Sequence, residues 1–277
     1  MKILSTFIIL LLTTLISFGQ DLYVVHVKGD IAVKNTNNPV KVGDMLSSSD
    51  ELKFLDPAAR AVVLDETGKR MVVGGEKVEK TADGEFISFV KDVILPLEGN
   101  IQLSTRGGDP MNILDFKNFF GSDKYVIIGD ELVIGPNKEK FVLENGWTFI
   151  FRYETEDRPV NKIVAQKDDY LVLDKNRLYK TKGRIVEPEK TYPVDLIYFN
   201  TQTNENQNLV TFQPLFIPEE TLLIELKSVA NFLQNNNVMQ GKALQEELYN
   251  FVLDVHGPTN KEIFLNWIDS KELITKR

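Results

Sequence analysis

Ser88-Phe89-Val90-Lys91 fits S-x-x-K, the spacing at which a lysine can activate a serine nucleophile. Its companion elements S-D-N and K-T-G are absent, and the nearest pieces are Ser122-Asp123-Lys124 and Lys80-Thr81-Ala82. Such enzymes hold the serine at a helix start, whereas Glu85 to Val90 reads as a strand, so the match is assigned to chance. The two histidines, His26 and His256, stand near opposite ends of the chain, and no histidine-based metal site and no cofactor is expected. Asp168-Asp169 and Glu219-Glu220 fall at a turn and at a helix start, where solvation and the helix dipole account for them. The backbone N–H groups of Arg106-Gly107-Gly108 could hold an anion, but a flexible connector explains the stretch as simply, and it lacks phosphate-loop spacing. No G-x-S-x-G, H-E-x-x-H or EF-hand pattern occurs. No catalytic residue is therefore predicted, and the residues of any ligand site stay unassigned. A carboxylate pair of a glycan hydrolase stays open, because the distance between two acids is not written in a sequence.

Trp147, Phe149, Phe151 and Tyr153 alternate with Thr148, Ile150 and Arg152, which puts an aromatic row on one face of a strand. Such a row can stack sugars. With Thr148, Arg152 and Glu154 expected to hold the opposite face in water, the aromatic face is expected to be core.

The elements that would carry these residues divide by period. Residues 1–19 read as a cleaved leader: Lys2, an apolar run from Phe7 to Ile16, then Ser17 and Gly19 before a mature start at Gln20. The apolar run is too short to span a bilayer, and no integral membrane span is expected after cleavage. There is no cysteine, so neither a disulfide framework nor a thiolate nucleophile is possible. The formal net charge of −8 argues against binding nucleic acid or an anionic membrane surface.

From Tyr23 to Val73, apolar runs of strand length alternate with Gly, Asn, Asp and Pro. Tyr23, Val25 and Val27 should share one face and Val24, His26 and Lys28 the other. The order VKGDIAV, VKVGDML, ELKF and AVVLDETGKRMVV, with Gly43-Asp44 at its turn, resembles the FecR-type domain of exported bacterial proteins. It is also similar to the start of signal-peptide-bearing proteins of Bacteroidota-type bacteria. The resemblance implies an all-β, non-catalytic periplasmic module concerned with signalling or envelope binding. This chain lacks the transmembrane helix that follows the leader in the signalling regulators.

Asp109-Pro110 opens a short helix with Leu114, Phe116, Phe119 and Phe120 on its apolar side, ended by Gly121. Candidate strands follow at KYVIIG, ELVIG, KFVLE, WTFIFRYE, NKIVAQ, DYLVLD, RLYK, RIVE, VDLIYFN and LVTFQPLFI, with Thr201 to Asn208 as a polar loop. The end of the chain turns helical, with stripes at Leu222, Leu226, Val229, Leu233 and at Leu244, Leu248, Phe251, Val255. Gly257-Pro258 stops the second helix, and Thr259 to Glu262 forms a capping box for a third. These helices are expected to pack on the second β unit.

The fold expected is mainly β, with two β-sandwich or barrel-like units and a helical C-terminal subdomain. Its parts are a signal peptide (1–19), the FecR-like module and connector (20–108), a bridging helix with a second β domain (109–217), and the helical end (218–277). The function expected is that of an exported, periplasmic, non-catalytic binding or scaffold protein whose partner is an envelope protein or glycan. The alternative is a glycan or peptidoglycan hydrolase using a carboxylate pair.

Overall fold

The computed structural model describes residues 21–75, 78, 80, 86–97, 116–136, 139–155, 158–168, 170–188 and 193–274. The leader with Gly19 and Gln20, the Asp109-Pro110 helix start, Arg106 to Gly108 and Asp169 lie outside the described residues. The protein is mainly β with helices at its C-terminal end, and it divides into two compact units, Met1–Leu97 and Glu98–Arg277.

The first unit carries β1 (Asp21–Lys28), β2 (Ile31–Val33), β3 (Asn38–Pro39), β4 (Met45–Ser47), β5 (Glu51–Phe54), β6 (Arg60–Leu64), β7 (Arg70–Gly74) and β8 (Phe86–Phe89). A single turn, α1 (Val90–Val93), and β9 (Ile94–Pro96) complete it. The strands form two sheets, β4-β1-β6-β7-β9 and β3-β2-β5-β8. Leu22, Val24, Leu46, Ala61, Val63 and Val73 from the first sheet share one core with Ile31, Leu52 and Phe54 from the second. The Gly43 N–H donates to the Val24 carbonyl at 2.8 Å and the Val24 N–H to the Asp44 carbonyl at 2.9 Å, pinning that turn on β1. Gly74 turns at φ 100°, and a Cβ there would meet the Phe54 ring at 2.6 Å, so only glycine fits that corner.

Strict alternation fails in β1. The register with β6 shifts between Val24 and His26, a β-bulge, and Val24 and Val25 are both fully buried. His26 is half-buried and partnered.

The second unit starts with α2 (Phe116–Phe120), closed by Gly121, whose N–H donates to the Lys117 carbonyl at 2.9 Å. Next come β10 (Lys124–Ile128), β11 (Glu131–Ile134), β12 (Trp147–Glu154), β13 (Pro159–Ile163), β14 (Ala165–Lys167), β15 (Tyr170–Asp174), α3 (Lys175–Leu178), β16 (Lys180–Thr181), β17 (Arg184–Ile185), β18 (Val194–Asn200) and β19 (Asn206–Ile217). The helices α4 (Glu219–Asn235), α5 (Gly241–Val255) and α6 (Lys261–Ser270) follow. A five-stranded sheet runs β10-β19-β18-β12-β13, a second sheet β11-β15-β14, and β16-β17 is a small hairpin. Both larger sheets feed one aromatic-rich core, to which α2 adds Phe116, Phe119 and Phe120. The Phe120 ring stacks on Phe212 with centroids 4.2 Å apart.

Several local expectations change. KFVLE forms no strand: Phe141 drops its ring edge-on to Phe116, and the Asn145-Gly146 turn, closed by Trp147 N–H to Glu144 O at 3.1 Å, follows at once. RLYK is split: Arg177 and Leu178 end α3, which the Asp174 carboxylate caps by accepting from the Arg177 N–H at 2.8 Å, and Lys180 already belongs to β16. Asn206, Gln207 and Asn208 belong to β19 rather than to a loop. The third helix is capped one residue later than the box predicts: Asn260 accepts from the Ile263 N–H at 3.0 Å. Thr259 instead donates its hydroxyl to the Val126 carbonyl at 3.0 Å, while the Val126 N–H reaches Pro258 O at 2.8 Å. The helical end is thereby fastened to β10, and Ile263 packs against the core of the second unit.

Candidate functional site

Ser88 stands in β8 opposite Leu52, and Lys91 belongs to the turn α1 that follows. The Lys91 ammonium lies over the Phe89 ring, 5.4 Å from its centroid. A strand serine beside a lysine engaged with a ring is not the helix-borne pair of the S-x-x-K enzymes.

The carboxylates with defined partners hold the fold. Asp65 closes the β6–β7 hairpin, accepting from the Thr67 N–H at 2.9 Å, the Thr67 hydroxyl at 2.6 Å and the Lys69 N–H at 2.9 Å. Burial pushes its pKa up, but the hydrogen bonds from Thr67 and Lys69, with the Lys69 charge, outweigh it and hold the carboxyl below the usual range. Glu219, in the first turn of α4, is lowered chiefly by its hydrogen bond from Lys271, which outweighs a desolvation that raises it. Both shifts run opposite to what a general acid of a glycosidase needs. Asp168 takes a positive φ of 54° in the turn between β14 and β15, a conformation aspartate tolerates.

His256 caps the C-terminal end of α5, and its Nε2 lies 2.7 Å from Glu225 Oε2 of α4. Sequence reading missed this pair, since nothing in the spacing of two helices announces which turns face each other.

The aromatic row is core. Phe149, Phe151 and Tyr153 are fully buried, and the half-buried Trp147 stacks on Tyr198 with centroids 4.3 Å apart. Burial pushes the Tyr198 hydroxyl up, and that hydroxyl donates to the Val142 carbonyl. The opposite face is less wet than its Thr and Arg residues suggest. Cross-strand pairing lines up Ile163, Ile150 and Ile197 over β13, β12 and β18 on that face, with Thr148 opposite Phe199 beside them.

That row ends at β13, an edge strand. Thr155 and Arg158 exchange backbone hydrogen bonds at 3.0 and 3.3 Å, and the Val164 N–H reaches Phe149 O at 2.9 Å. These contacts set the phase of the ladder, so Val160 and Lys162 bond to β12 while Asn161 and Ile163 turn their N–H and C=O groups outward. Pro159 falls in the same outward phase, where a missing N–H costs nothing. On the core-side face of the same edge, Lys162 donates its ammonium to the Lys180 carbonyl. The Tyr153 hydroxyl contacts Leu178 O and Thr181 Oγ1 at 3.2 and 3.4 Å, holding the β16–β17 hairpin on that side. Lys180, Lys182 and Arg184 of this hairpin are exposed, and among the described residues neither they nor Lys162 and Arg158 have an acidic partner.

No helix among the described residues is long and apolar enough to cross a membrane. No protein-family model matches the chain, and no curated protein matches it.

Proposed function

We propose that the chain is an exported, non-catalytic component of the cell envelope that binds or scaffolds an envelope partner. The leader read at residues 1–19, with its expected mature start at Gln20, supports export. The resemblance of the first unit to FecR-type modules points the same way. The observation that carries the non-catalytic part is the use made of the polar groups. Asp65, Glu219, Glu225 and His256 are tied to fold-holding partners, while cations with no acidic partner among the described residues, an open strand edge and exposed isoleucine meet on an open surface. A surface of that kind binds; it does not exclude water from a reaction.

The test uses material from the native envelope. Intact mass should correspond to a chain starting at Gln20, and the purified protein incubated with isolated peptidoglycan should release no soluble fragments. A mass retaining Met1 or Lys2 sinks export, and released muropeptides sink the non-catalytic reading in favour of a hydrolase.

A further inference from the structure

The geometry points to β13 as a docking edge for an extended polypeptide segment whose residues alternate between apolar and acidic. This narrows the binding reading above to a partner class, and it rests on that reading.

Asn161 and Ile163 present outward N–H and C=O groups at the two-residue spacing an added strand requires, and β13 is the last strand of its sheet. The far edge of the same sheet is occupied, because β10 gives its outward Val126 N–H to Pro258 and its Val126 carbonyl to Thr259.

The side chains then specify the incoming strand. Residues paired across a ladder share a face. Ile163 lies on the face of Ile150 and Ile197, and it is 59% exposed at the end of that apolar row. Lys162 lies on the opposite face, where its ammonium touches the hairpin that carries Lys180, Lys182 and Arg184. A strand added beside β13 alternates its own side chains between these two faces. Those on the Ile163 face extend an apolar row, and those on the Lys162 face meet cations that have no acidic partner among the described residues. In a chain of net charge −8, such a local basic group is complementary to acidic side chains and repels the chain's own average surface. A symmetric pairing of two copies centred on Lys162 would set lysine against lysine, which disfavours a second copy as occupant.

Fluorescence anisotropy of a labelled peptide of alternating valine and glutamate, titrated with the full mature chain, tests the proposal. The peptide should bind with an affinity that falls with salt, and an alternating valine–lysine peptide should not bind. Asn161→Pro removes only an outward N–H, in the phase where Pro159 already stands. It should leave the melting transition in place yet weaken the valine–glutamate peptide about tenfold. The exposed pair Lys180→Glu with Lys182→Glu should weaken it by at least about tenfold and admit the valine–lysine peptide. Absence of binding overturns the proposal. Equal affinity of the Asn161→Pro protein overturns strand addition, and adsorption to phosphatidylglycerol vesicles with no response to the peptide overturns a polypeptide partner. Self-association abolished by Asn161→Pro replaces the partner with a second copy. If the peptide fails while isolated envelope still retains the chain, this partner class falls and the binding reading stands. Released muropeptides defeat that reading whatever the peptide does.

Discussion

Phe149 shows how one side chain decides between two functions. Its ring is fully buried and tilts against Phe116 at 5.8 Å and Tyr198 at 5.2 Å, so it fills the core of the second unit instead of offering a sugar a platform. Phe149→Ala is expected to cost about 3–5 kcal/mol in urea unfolding followed by tryptophan emission. Asp65 gives the second residue-level expectation. Its folded carboxyl is held below the unfolded value, so its contribution is present above about pH 4 and is lost as pH falls through the folded pKa. Asp65→Ala should therefore destabilise the protein at neutral pH, and the gap to wild type should narrow in acid. A gap constant with pH would show that the carboxylate's charge has no part in holding the hairpin.

At the scale of elements, the attachment of the helical end depends on very few bonds. Thr259 and Pro258 tie the α5–α6 connection to both backbone groups of Val126. Thr259→Val keeps the shape and leaves the buried carbonyl of Val126 without its donor. The expected cost is about 1–3 kcal/mol, with faster amide exchange at Val126, whereas Asn260→Ala should cost about 1 kcal/mol by loss of a cap alone. The sequence showed the helices of the C-terminal end and most of the stripes they bury: Leu222, Leu226, Val229, Leu233, Leu244, Leu248 and Phe251 are inside, while Val255 is half-buried. It mis-set the cap, because Thr259 and Asn260 are both good capping residues. The contact that separates them comes from β10, far away in the chain. RLYK went wrong for a local reason, as Asp174 closes a helical turn where apolar alternation suggested a strand.

For the whole molecule, periodicity carried the architecture: many short strands, a mainly β body and a helical end were all legible. β18 alternates cleanly, with Val194, Leu196, Tyr198 and Asn200 all buried, whereas β19 breaks its alternation at Leu209-Val210, where its register with β18 shifts. The docking edge was not legible. Its phase depends on which residues of the β12–β13 hairpin exchange hydrogen bonds, and its basic face depends on Lys162 reaching Lys180 O across a gap in sequence. Neither is a property of composition. The bulge at β1 was hidden for the same reason, since an extra residue in one strand is defined only against its neighbour.

The parallel pairing of β10 with β19 has a consequence for the order in which the molecule can be made. Lys124 to Ile128 leaves the ribosome early, yet one edge waits for Gln213 to Ile217 and the other for Pro258 and Thr259. Closing such distant contacts is slow, and the early strand stays without partners until nearly the whole chain exists. In a nascent chain β10 therefore does not have both of its neighbours until the segment around Pro258 and Thr259 has been made. Chains truncated just before Gly257 should accordingly be cut by protease within β10 far faster than the full-length protein. Equal resistance would mean that the pairing with β19 alone is enough to shelter the strand.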